Sequence, residues 1–104
     1  MNLMNLARTA QEYRRGIWTP GEVVLRAFEY TQGAGAYVGL PSLRASMSPL
    51  AYLGLQEAAQ ALLDSMSPDS NEVGIGFVTP QVPAQFTVIP RAFILELSSK
   101  QPTA

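Results

Sequence analysis

Apolar residues recur at helical spacing over residues 3–15, as Leu3, Leu6, Ala7, Ala10 and Tyr13, with Ile17 just beyond. Asn5, Arg8, Glu12 and Arg15 take the opposite side, and Arg8 with Glu12 has the i,i+4 spacing of an ion pair. The pattern predicts an amphipathic helix. Arg14 and Arg15 suit the negative end of its dipole, and Gly16 suits the left-handed position that closes it. The next stretch, Trp18-Thr19-Pro20-Gly21-Glu22-Val23, is a complete helix-start signal. Thr19 and Glu22 have the spacing of a capping box, and Pro20 takes the first helical position, where its missing N–H is harmless. Trp18 and Val23 have the spacing of a hydrophobic staple, which makes Trp18 a largely buried hinge residue rather than a binding hot spot. The second predicted helix covers 20–31. Val23, Val24, Ala27, Phe28 and Tyr30 form its apolar arc, and Glu22, Arg26 and Glu29 lie opposite.

The signal weakens over 32–47. Gln32-Gly33-Ala34-Gly35-Ala36 reads as a flexible turn, and Leu40–Ala45 as a single helical turn. Ser48-Pro49 then opens the longest helix, about 49–66, with Ser48 as N-cap. Tyr52, Leu55, Ala59, Leu62 and Met66 form a bulky stripe on it, and Ala51, Gly54, Ala58 and Ala61 a stripe of small residues suited to close approach by another backbone. Leu53 falls inside the polar arc, where it is either exposed or covered by a partner.

Past the turn-rich Ser67–Asn71 the period changes from helical to alternating. Val73, Ile75 and Phe77 alternate with Gly74, Gly76 and Val78, and strands are predicted at about 73–78, 86–89 and 92–97. Pro80, Pro83 and Pro90 keep them short or at edges. The expected fold is α+β: three main helices (about 3–15, 20–31 and 49–66) and then a small antiparallel sheet or hairpin. Residues 1–97 read as one domain and 98–104 as a flexible tail.

Composition changes this picture in one respect. The chain is 47% hydrophobic but only 14% charged, with a net charge of −1, against roughly one quarter charged in an average domain. Such a surface repels copies of itself weakly. Cysteine and histidine are both absent, which removes disulfides, thiolate chemistry, the usual general base and the commonest metal ligand. No apolar run is long enough to span a membrane, and the first residues lack the basic-then-apolar order of a secretion signal. The expectation is a cytoplasmic chain with no membrane partner.

Candidate chemistry is sparse. Gly33-x-Gly35-x-x-x-Gly39 has the wrong spacing and context for a phosphate loop and lacks the Gly-Lys-Ser/Thr that would follow. Asp69, Ser70, Asn71 and Glu72 gather oxygens without the alternation of a calcium loop, so they read as a turn. The helix–turn–helix at 3–31 raises the question of DNA, but its second helix starts with Pro20, Gly21 and Glu22 rather than base-reading side chains, which argues against nucleic acid as a partner. No serine has a visible base. The chain is therefore expected to be non-enzymatic, with no cofactor and no metal.

The leading expectation is an interaction or assembly module that self-associates as a homodimer. The final strand, apolar on both faces, supplies the expected interface through Phe93, Ile94, Leu95 and Leu97, joined by Val78 and by Leu53 on the long helix. The alternatives are a small-molecule domain that holds an anion through Arg44 or Arg91 in a pocket between sheet and helices, and, behind it, a nucleic-acid-associated regulator.

Overall fold

The computed structural model describes residues 2–33, 40–79 and 82–99, without the side chains of residues 33, 40–42, 77–79 and 82–85. The elements follow in the order α1 (Leu3–Arg14), α2 (Pro20–Gly33), α3 (Leu40–Ser46), α4 (Pro49–Ser65), β1 (Glu72–Thr79), β2 (Val82–Pro90) and α5 (Arg91–Ser98). The α+β architecture and the three main helices are as expected. Asn2, which the sequence did not single out, caps α1 by accepting from the Asn5 N–H at 2.8 Å. The Gly33–Gly39 stretch lies largely outside the described residues.

The hinge between α1 and α2 forms as its sequence dictates. Gly16 has φ +82. Its N–H donates to the Tyr13 carbonyl at 2.9 Å, and the Ile17 N–H donates to the Glu12 carbonyl at 3.1 Å. This pair of bonds is a Schellman closure, which satisfies two carbonyls that a helix end leaves open. Across the hinge the Thr19 N–H donates to Glu22 Oε2 at 3.1 Å, and the Glu22 N–H donates to Thr19 Oγ1 at 3.3 Å. The capping box is complete in both directions.

One packed helical layer follows from these starts. Leu6 and Ala10 of α1, Val23, Val24 and Ala27 of α2, and Tyr52, Leu55 and Ala59 of α4 all lie in the core. The small-residue stripe of α4 does what its spacing implied: a Cβ at Gly54 would run into the Ala10 carbonyl oxygen, so the two helix backbones touch there. Arg14 and Glu57 then meet at 3.6 Å, one turn further along both helices. Ala10 with Gly54 and Arg14 with Glu57 advance together, so α1 and α4 run side by side in the same chain direction. The Arg8–Glu12 pair expected from spacing does not form. Arg8 Nη2 instead donates to Asn5 Oδ1 at 3.1 Å, and Glu12 turns to Trp18.

β1 and β2 form an antiparallel two-stranded sheet, with Gly74 opposite Val88 and Gly76 opposite Phe86. Its inner face brings Val73, Ile75 and the fully buried Ile89 to the core. Ile75 lies over Gly21 at the start of α2, where an added Cβ would stand 3.0 Å from Ile75 Cδ1.

The expected third strand at 92–97 is instead the helix α5. Between Ile89 and Ala92 the chain has only Pro90 and Arg91 in which to reverse. A two-residue hairpin turn needs positive φ at its first central position, and Pro90 holds φ at −66. Ala92, Leu95 and Glu96 are good helix formers, and a helix gathers Phe93, Ile94 and Leu97 onto one face. Phe93 meets Phe28 of α2 edge to face, with ring centroids 5.1 Å apart. Ser98, expected in a loose tail, closes α5, and Gln56 of α4 donates to the Ser99 carbonyl at 3.0 Å.

Candidate functional site

The residues expected to form an interface separate into three groups. Ile94 and Leu97 are fully buried in the core and offer no free surface, and Phe93 is half-buried and packed against it. Leu95 is exposed on α5 and Leu53 is half-buried on α4. Val78 lies in β1, and its side chain is outside the described residues. The two arginines reserved for an anion are also engaged in structure. Arg91 Nε donates to the Ser70 carbonyl and its Nη2 to the Ser67 carbonyl, each at 2.6 Å, while the Arg91 N–H donates to the Asn71 carbonyl. It ties the turn before the hairpin to the helix after it. That turn closes through the Ser70 N–H on the Ser67 carbonyl. Arg44 stands over the Tyr52 ring, 5.8 Å from its centroid. Burial pushes the Tyr52 hydroxyl above its ordinary pKa, and the Arg44 charge partly opposes the shift.

Two other surfaces stand out. The first is the outer face of the hairpin. Alternation along the strands turns Gly74 and Gly76 of β1 outward together with Phe86 and Val88 of β2. Phe86 leans diagonally across the pair, and its ring occupies the space a Cβ on Gly74 would need. The face that the two glycines leave without side chains is thus partly filled by this ring. The ring still leaves Phe86 73% exposed, and Val88 beside it is 45% exposed. Among the described residues of this face Glu72 carries the only charge, and it sits at the end of β1. The alternation of Phe86 and Val88 against Ile89 could have revealed this pair, had the register with the glycines been known.

The second is a cleft of ≈ 580 Å³ between α1 and α2, lined by Asn5, Arg8, Thr9, Glu12, Trp18, Arg26 and Glu29. Trp18, packed against the core, forms one wall, and its Nε1 donates to Glu12 Oε1 at 3.1 Å. The Arg26 guanidinium stacks on the same indole, 4.9 Å from the ring centroid. Thr9 is buried beneath, with its hydroxyl donating to the Asn5 carbonyl. The hinge creates this grouping: it folds the polar edges of two helices, each read from sequence as facing water, toward one another. Charges within a helix were visible in the sequence; the meeting of the two edges was not.

No family model, no curated protein and no solved structure matches this chain. Among the described residues no helix is long and apolar enough to cross a membrane.

Proposed function

We propose that this chain is a non-catalytic interaction module that self-associates, and that the outer face of its hairpin is the surface that pairs with a second copy. The observation that carries the reading is Phe86, exposed beside Val88 on a face whose described residues carry one charge, at its end. A two-stranded sheet is marginal by itself and leaves both outer edges unpaired. The β1 edge carries neither proline nor lysine, and its one charge, Glu72, sits at its end, whereas β2 carries Pro83 and Pro90. A second copy is the occupant that composition favours. Two faces without central charge meet with no desolvated ion to offset, and a net charge of −1 opposes the encounter little. Against the nucleic-acid alternative, α2 packs its apolar arc into the core and turns Glu22 and Glu29 outward.

Molar mass in solution tests this, for wild type and for Phe86→Lys with Val88→Lys. Wild type should be a dimer, or a concentration-dependent mixture, at tens of micromolar, and the double variant a folded monomer (the order of concentration at which weak dimers show). A monomeric wild type at that concentration overturns the proposal. A variant that remains dimeric moves the interface elsewhere, and the exposed Leu50 at the start of α4 is the next site to change.

A further inference from the structure

The cleft between α1 and α2 is separate from the hairpin face, and its chemistry is of a different kind. It is lined by two guanidinium groups, Arg8 and Arg26, and two carboxylates, Glu12 and Glu29. Among the described residues neither arginine makes an ion pair; the one that forms joins Arg14 to Glu57. Arg26 is held in place by stacking on Trp18 rather than by hydrogen bonds, so it is positioned while its N–H groups remain open to a ligand. Glu12 is oriented through one oxygen by the Trp18 N–H, which leaves the second oxygen as an acceptor. Glu29 is exposed at the cleft.

From this arrangement we infer that the cleft binds a small zwitterion of amino-acid size, its carboxylate on Arg8 and Arg26 and its ammonium on Glu12 and Glu29. The volume lies within the range of small-ligand sites. The balance of charge selects the class. A phosphate or other multiply charged anion would meet two carboxylates, and a simple cation would meet two guanidinium groups, each with unfavourable Coulomb terms. A ligand carrying both signs satisfies both pairs. Because Arg26 covers the indole face, the site reads the two charged groups and leaves little aromatic surface for a large ligand side chain.

Trp18 is the chain's only tryptophan, so its emission reports on the cleft directly. The test is a titration with each free L-amino acid up to about 10 mM, the range in which weak sites fill. Fluorescence is followed alongside calorimetry, with acetate, inorganic phosphate and methylammonium as single-sign controls. At least one amino acid should give a saturable change that none of the controls gives. Arg26→Gln and Glu29→Gln, checked for native helicity by circular dichroism, should each weaken that binding by about tenfold, as expected for losing one charged contact. The Glu29 side chain makes no hydrogen bond or ion pair among the described residues, so its variant keeps the test open even if Arg26→Gln disturbs the hinge. Saturation by phosphate alone would make the cleft an anion site and overturn the inference. So would the absence of saturation by any amino acid in both measurements, or unchanged binding in both variants.

Discussion

The molecule has two junctions built on opposite principles. The α1–α2 hinge is held by partners close in sequence: Gly16 on Tyr13, Ile17 on Glu12, Thr19 with Glu22, and Trp18 on Glu12. Its bonds span three to six residues, and its geometry is written in the order of its side chains. The junction between the 67–71 turn and α5 is held by Arg91, which reaches back 21 residues to Ser70 and 24 to Ser67. Nothing near Arg91 in sequence announces that contact. A local junction can form as soon as its helix starts, whereas a distant one forms only once the hairpin has brought its ends together. The Arg91 contact is therefore tied to the hairpin's closure, and the bonds of the hinge are not.

The comparison is broken most severely at Ile94. As a helical residue with no exposed surface, it packs in the same core as α1, α2 and α4. Ile94→Ala should destabilise the fold by about 2–5 kcal/mol, the transfer term plus the cavity left behind. A loss below about 0.5 kcal/mol in denaturant melts, the size expected of a surface change, would mean that α5 does not dock as described.

This helix also marks where the sequence stops being legible. Thr19, Glu22, Ser48 and Gly16 were readable because capping is decided within one turn of chain. Gly54 was readable in kind, since a small stripe on a helix implies close approach, but its partner Ala10 was not. Residues 92–97 are ambiguous in the sequence because a short apolar run carries no decisive period. The deciding clue was Pro90, whose fixed φ denies the chain the turn that a third strand needs. Of the residues expected at an interface, Phe93, Ile94, Leu95 and Leu97 fall on α5 and Leu53 on α4, and Val78 alone lies in the hairpin. Phe86 and Val88 are exposed while Ile94 and Leu97 are buried, because register and helix docking decide which apolar groups remain outside. The cleft was not legible at all, since it depends on how two helices converge.

A second, smaller break is expected at Arg91. Arg91→Met keeps the aliphatic stem and removes the donors to Ser67 and Ser70. The site is partly open, so water can reach the freed carbonyls, and the loss should be about 1–2 kcal/mol, near or below the lower end for charged hydrogen bonds. The long-range character of the junction gives a sharper readout than the midpoint. Amide exchange should accelerate in both the 67–71 turn and the first turn of α5, and leave the α1–α2 hinge unchanged. Acceleration confined to α5 would show that Arg91 supports its own helix only.

The smallest effect belongs to the hinge. Thr19→Ala removes the oxygen that accepts from the Glu22 N–H and should destabilise by about 1 kcal/mol. An unchanged midpoint would mean that this bond contributes nothing measurable in solution. The reciprocal bond from the Thr19 N–H to Glu22 Oε2 makes a stronger test possible. Each half of the box positions the other: the Thr19 hydroxyl fixes the first turn, which directs Glu22 back to the Thr19 backbone. Glu22→Ala should therefore weaken the fold as well. The double variant should lose less than the sum of the two single losses, because removing either side chain already loosens the bond made by the other. In a double-mutant cycle this appears as a coupling of about 0.5 kcal/mol or more between residues in contact. Strict additivity would separate the two bonds and reduce the hinge to independent caps.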